Sequence, residues 1–211
     1  MRTTLLIALP KGRLFDAAIA LLSRAGIATN GGEGSRKLTF PDAEGKYEFV
    51  ALKPADIPVY VESGAVDAGI LGSDILREQE YEVYEPLDLR IGLCRLVLAA
   101  QEGVDLQSIP HMRIATKYPR TATRFFAARN RHTHIVRLEG SVEIAPLLGL
   151  ADAIVDLVET GRTLRENGLR VVEDVAPVSA KLIVNRTAMK TRSGAVRSLI
   201  TALDKVVYAS S

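Results

Sequence analysis

The residues from Asp152 to Leu164 concentrate the most chemistry in the chain. An apolar strand, Ala-Ile-Val-Asp156-Leu-Val, runs into Glu159-Thr160-Gly161-Arg162-Thr163 and then into a short helix closed at Gly168. Such a turn is suited to anions. The first amides of a helix lack internal partners and its N-terminus carries partial positive charge, while glycine admits close approach and hydroxyls add donors. A phosphate fits this description. Thr163 and Glu166 also have the spacing of a capping box, so an ordinary capped helix is the alternative. By period-two alternation Asp152 and Asp156 share a strand face, where a sugar diol or a magnesium ion would suit them. Asp152 reads equally as a solvated strand-start residue, whereas Asp156 interrupts an apolar run and needs a partner.

A second signal is Lys11-Gly12-Arg13, between an apolar strand and a helix. Cations at a helix start oppose its dipole by some tenths of a kcal/mol, so their presence points to an anionic ligand. Ser35-Arg36-Lys37, Lys53 and Lys117-Tyr-Pro-Arg120 repeat the arrangement beside loops. Singly each reads as surface charge; together they describe one edge able to hold several phosphates. Glu143, after another strand-to-helix turn, either meets ribose hydroxyls or decorates a helix start. His132 and His134 read as surface and core, and Cys94 as a small buried residue. The chain has no Walker-type loop, no dinucleotide-binding glycine triplet and no nucleophile elbow.

Short apolar runs alternating with amphipathic segments position these residues, and that alternation predicts an α/β fold. Strands are predicted at 5–9, 37–40, 47–52, 68–71, 93–100, 113–116, 134–138 and 153–158, with helices over 14–22, 119–129, 142–148 and 193–208. The last helix carries an apolar face expected to pack on the N-terminal part. Residues 1–90 plus 180–211 then form domain I and 91–179 domain II, with a cleft between two lobes.

Twenty-seven basic and 25 acidic residues leave a net charge of only +2, which argues against nucleic acid as a partner. One cysteine and three scattered histidines support neither disulfides nor a zinc site. The N-terminal apolar run is too short for a signal peptide, and no stretch approaches the roughly 18 apolar residues of a membrane helix. A cytoplasmic protein is expected.

Leu-Pro-Lys-Gly-Arg-Leu at 9–14, Ser-Arg-Lys-Leu at 35–38, Val-Asp-Ala-Gly-Ile-Leu-Gly-Ser-Asp at 66–74 and Asp-Leu-Val-Glu-Thr-Gly-Arg-Thr-Leu at 156–164 together resemble ATP phosphoribosyltransferase, the first enzyme of histidine biosynthesis. The resemblance spans nearly the whole chain. It implies two lobes like the type II periplasmic binding proteins with a central cleft, magnesium as cofactor, and phosphoribosyl pyrophosphate held by 159–163. The length resembles the short form of the family, which implies a hetero-oligomer with a regulatory subunit resembling histidyl-tRNA synthetase. Where the family more usually has arginine this chain has Lys53, which keeps the charge and loses the bidentate fork.

The implied reaction joins adenine N1 of ATP to the anomeric carbon of phosphoribosyl pyrophosphate and releases pyrophosphate. Arg36 and Lys53 are expected to stabilise the leaving group, and Lys11, Gly12, Arg13 and Lys117 to position ATP. Glu143, Asp156 and Glu159 to Thr163 are expected to bind the phosphoribosyl substrate, with no metal ligand assigned. The reading of a different class is a non-catalytic two-lobed protein that closes on a small anion.

Overall fold

The structure is a computed structural model describing residues 4–29 and 39–209. In chain order the elements are β1 (Leu5–Pro10), α1 (Phe15–Arg24), β2 (Thr39–Pro41), β3 (Tyr47–Leu52), α2 (Ile57–Glu62), β4 (Ala68–Gly72), α3 (Ser73–Glu78) and β5 (Val83–Asp88). There follow β6 (Cys94–Gln101), β7 (Met112–Thr116), α4 (Pro119–Ala127), β8 (Thr133–Arg137), β9 (Ala153–Val158) and α5 (Arg162–Glu166). The chain ends with β10 (Leu169–Val178), β11 (Ala180–Asn185), α6 (Arg186–Thr191) and α7 (Ser193–Tyr208). It divides into two compact units: Met1–Leu76, Glu80–Gly92 and Ser179–Ser211 in the first, Arg77–Gln79 and Leu93–Val178 in the second.

The first unit is built on a six-stranded sheet of order β2-β3-β1-β4-β11-β5. β1 lies parallel to both β3 and β4, while β11 runs antiparallel to β4 and β5. All six residues of β1 are buried, as a central strand covered on both faces requires. Leu5, Ile7 and Leu9 face one core with Phe15, Leu21 and Phe49; Leu6 and Ala8 face another with Ile57 and Val61. Gly69 on β4 permits the second packing, because a Cβ there would stand 2.6 Å from Ile57 Cγ2. α7 contributes Val196, Leu199 and Leu203 to the first core, the helical spacing expected of its apolar stripe. Its start is tied down by Arg192, whose Nη1 donates to Asp67 Oδ2 at 2.8 Å and to the Thr4 carbonyl at 3.0 Å.

The second unit has a five-stranded sheet of order β10-β6-β9-β7-β8. β7 is parallel to β8 and β9; β6 is antiparallel to β9 and β10. Val97, Ala99, Ile154 and Val158 pack on one face with Val142, Ala145 and Leu164, and Leu96, Leu98, Val155 and Phe126 on the other. The helix predicted over 142–148 is instead a single 3-10 turn, Val142–Ile144. Pro146 has no N–H to give to the Val142 carbonyl, which takes the Ala145 N–H at 3.1 Å instead, and Gly149 at φ +69° turns the chain away.

Candidate active site

In the first unit, β1 and β3 end side by side, Pro10 opposite Leu52, so Lys11 and Lys53 leave adjacent strand ends. The Lys11 N–H donates to the Leu52 carbonyl at 2.8 Å, fastening the two exits. Gly12 then takes φ +83°, a left-handed turn that glycine adopts without strain, and α1 begins at Phe15. Lys11, Gly12, Arg13 and Lys53 are all exposed at the carboxyl edge of this sheet, where open α/β sheets receive ligands. At the end of neighbouring β4, Asp74 is buried with 8% exposure. In the sequence Asp74 appears only as the last residue of the 66–74 motif; its burial is what singles it out. Arg36 lies outside the described residues.

In the second unit the parallel strands β8, β7 and β9 bring the remaining candidates to one carboxyl edge. Lys117 follows β7, Glu143 lies in the turn after β8, and residues 159–163 follow β9. Thr116, wholly buried, sets the first exit: its Oγ1 donates to the Val155 carbonyl at 2.6 Å and accepts the Tyr118 N–H at 2.9 Å. Asp156 falls at the position between Ile154 and Val158 that alternation assigns to their face, the one covered by Val142 and Leu164. Burial there pushes its carboxyl pKa up; accepting the Leu157 N–H opposes this, the Glu143 charge adds to it, and Lys117 pulls the other way. Asp156, Glu143 and Lys117 therefore share one electrostatic environment.

The loop after β9 does not form a capping box. Gly161, at φ +73°, is the N-cap of α5 and has no side chain with which to cap it. Thr163 lies inside the first turn, and Glu166 instead accepts from Arg162 Nε at 2.7 Å. The ordinary-cap alternative thus fails. Thr160 Oγ1 accepts the Arg162 N–H at 3.5 Å, and Glu159, Thr160, Arg162 and Thr163 are exposed.

Two expected participants have structural partners. The N-terminus of α4 is occupied by Glu78, whose carboxylate accepts the N–H groups of Arg120 at 2.8 Å and Thr121 at 2.9 Å and the Thr121 hydroxyl at 2.8 Å. Those two amides are taken and do not serve a ligand, while the Lys117 and Arg120 side chains are not engaged by Glu78. Asp152 pairs with Arg113, whose Nη2 approaches Oδ1 at 2.7 Å and whose backbone N–H reaches Oδ2 at 2.8 Å. This is the strand-start role, with arginine rather than water as partner. His132 and His134 are exposed and Cys94 is half-buried. Among the described residues, no three histidine, cysteine, aspartate or glutamate side chains group as metal ligands.

Residues 53–205 match the family described as HisG, ATP phosphoribosyltransferase. An ATP phosphoribosyltransferase of Oceanobacillus iheyensis is 50% identical over 202 residues, covering 95% of this chain and 97% of the relative. One from Caldanaerobacter subterraneus subsp. tengcongensis is 46% identical over 202 residues, 95% of this chain and 96% of its own length. Among solved structures, the ATP phosphoribosyl transferase (HisG:HisZ) complex from Thermotoga maritima matches with TM-score 0.83 and 32% identity, over 98% of this chain and 100% of that one. The VFT2 domain of Bordetella pertussis BvgS matches in fold alone, with TM-score 0.62 at 14% identity over 100% of this chain and 89% of that one. It places the two α/β lobes among folds of the periplasmic-binding type. With a family match across most of its length and relatives near half identical over nearly all of it, the chain belongs to the ATP phosphoribosyltransferase family.

Proposed function

We infer that this protein catalyses the first step of histidine biosynthesis: ATP and 5-phosphoribosyl 1-pyrophosphate give N1-(5-phosphoribosyl)-ATP and pyrophosphate. The observation that carries this reading is the family relationship over 95% of the chain. The two carboxyl edges, one presenting Lys11, Arg13 and Lys53 and the other the loop 159–163 beside Asp156, supply groups of the kind the chemistry needs.

In this reaction adenine N1 forms a bond to the anomeric carbon as the bond from that carbon to the pyrophosphate oxygen breaks. N1 has a free lone pair at neutral pH, so no side chain has to remove a proton before attack. Catalysis then consists of alignment and charge stabilisation. Thr160, Gly161, Arg162 and Thr163 hold the 5-phosphate through backbone amides and hydroxyls. Asp156 and Glu143 accept hydrogen bonds from the ribose hydroxyls, and Glu159 borders the same substrate. Lys11, Gly12, Arg13 and Lys117 position ATP, and Arg36 with Lys53 stabilise the departing pyrophosphate. Magnesium is usually held by one or two carboxylates together with substrate phosphates, and Asp156 and Glu143 are donors of that type. Bound with the pyrophosphate, it would supply charge neutralisation of the leaving group.

The Thermotoga maritima relative is known as a HisG:HisZ complex, which supports a hetero-oligomer here, with a regulatory subunit resembling histidyl-tRNA synthetase. Among the described residues no helix is long and apolar enough to cross a membrane, and a biosynthetic role fits the cytoplasm. The deciding experiment mixes the chain with ATP, phosphoribosyl pyrophosphate, magnesium and inorganic pyrophosphatase, and follows the ultraviolet change of N1-substituted adenine. Product formation, alone or with the partner subunit added, is the expected result; no product in either condition overturns the assignment.

A further inference from the structure

Two arginines flank the phosphate loop, and they are used differently. Arg162, the one within the loop, lays its Nε on Glu166 in an exposed i,i+4 pair at 2.7 Å. Arg165, nearly one turn later, reaches back over the loop: its Nη1 donates to the Thr160 carbonyl at 3.2 Å and lies 3.2 Å from where a Cβ on Gly161 would stand. No described carboxylate forms an ion pair with Arg165, so its charge is not spent on a neighbour as that of Arg162 is.

We propose that Arg165 is a positioning residue of the 5-phosphate site, holding the Thr160–Gly161 peptide in the orientation that presents the Gly161 amide to the phosphate. The proposal rests on the transferase reading above. In a trans peptide the carbonyl and the following N–H point in opposite directions. A guanidinium holding the Thr160 carbonyl therefore turns the Gly161 N–H to the other side of the loop. Gly161 suits the arrangement twice over: its φ of +73° disfavours other residues, and a Cβ there would stand 3.2 Å from Nη1, a tight contact that glycine avoids. Arginine suits the task because its rigid planar fork fixes the direction of the bond to the carbonyl. Lysine would keep the charge and lose that fixed geometry.

The test uses the full chain and two binding probes, ribose 5-phosphate for the phosphate end and pyrophosphate for the leaving-group end, measured by calorimetry alongside steady-state kinetics. Arg165→Ala is expected to weaken ribose 5-phosphate and raise KM for phosphoribosyl pyrophosphate about tenfold, the scale of one charge-assisted hydrogen bond. Pyrophosphate affinity, KM for ATP and Tm should stay within about twofold or a degree or so of wild type. Arg165→Lys should fall between wild type and alanine. Unchanged ribose 5-phosphate binding in Arg165→Ala overturns the proposal while leaving the transferase reading intact. So does equal loss of both probes with a lowered Tm, which would mark a merely structural arginine. A wild-type chain that binds neither probe and makes no product overturns both.

Discussion

Arg113 grips Asp152 from three directions, with its backbone N–H, Nε and Nη2, while its Nη1 holds the Gly149 carbonyl at 2.7 Å. The pair closes the start of β9, the strand whose far end carries Asp156 and the phosphate loop. The contact and the loop thus sit at opposite ends of the same strand, so the contact can be removed without touching the loop.

Asp152→Asn should consequently lower Tm by roughly 2–4 °C without changing KM for either substrate. The pair has a pH signature as well. The Arg113 hydrogen bond holds the Asp152 carboxyl below the usual carboxylate range. A depressed folded pKa contributes stability that is present above the unfolded value and lost as pH falls through the folded one. Wild type and Asp152→Asn should therefore differ in Tm at neutral pH and converge on acidification. A constant difference across that range would show that the ion pair is not its source.

Asp156 should behave in the opposite sense. Burial raises its folded pKa, so its stabilising contribution is present below the unfolded value and is lost as pH rises through the elevated one. Ionising a carboxyl buried in this way is a burden on the fold that a substrate-binding role would justify. Asp156→Asn is expected to raise Tm slightly at pH 7 and to lower kcat/KM for phosphoribosyl pyrophosphate by roughly 10–100-fold. If kcat/KM is unchanged, the side chain does not meet the substrate.

Glu78 replaces a ligand with a side chain at the start of α4. Converting it to alanine removes acceptors from two helix amides and one hydroxyl, at an expected cost of about 1 kcal/mol. Hydrogen exchange localises the effect: the Arg120 and Thr121 amides should exchange faster, with strands β7 and β9 unaffected. Uniformly faster exchange would count against a local cap.

Lys53 stands at an exposed strand exit beside Lys11. If it meets the leaving pyrophosphate, Lys53→Ala should lower kcat by roughly 10²-fold, the scale of losing one transition-state charge contact. Lys53→Arg should match or exceed wild-type kcat because the fork can make two parallel bonds. Steady-state kinetics with both substrates varied decides it: a loss confined to KM would place Lys53 in ground-state binding only.

The strand-loop-helix units were legible because periodicity is local. Leu21 and Leu22 mark α1, the run Ala153–Val158 marks β9, and Val196, Leu199 and Leu203 mark α7. β10 was not read because it is an edge strand with two irregularities, carrying Glu173, Asp174 and Pro177 where alternation would be sought. β5, another edge with Pro86, was missed for the same reason. At the candidate site, residue types and strand exits could be read, but partners could not. Glu78 meets Arg120 across 42 positions and Arg113 meets Asp152 across 39, choices made by tertiary packing that no local pattern encodes. The capping-box spacing at Thr163 and Glu166 was present, yet the left-handed Gly161 moved the helix start ahead of Thr163.

The strand order of the first sheet also bears on how the chain is made. β11 separates β4 from β5 and, among the described residues, is the only strand paired with β5. During synthesis, then, β4 and β5 leave the ribosome with bare hydrogen-bonding edges and wait while Leu93–Val178 emerges. That stretch carries every strand of its own sheet and can fold first. The earlier-made unit is thus completed last, by long-range pairing of high contact order, and until then its uncapped edges are open to pairing with other nascent chains.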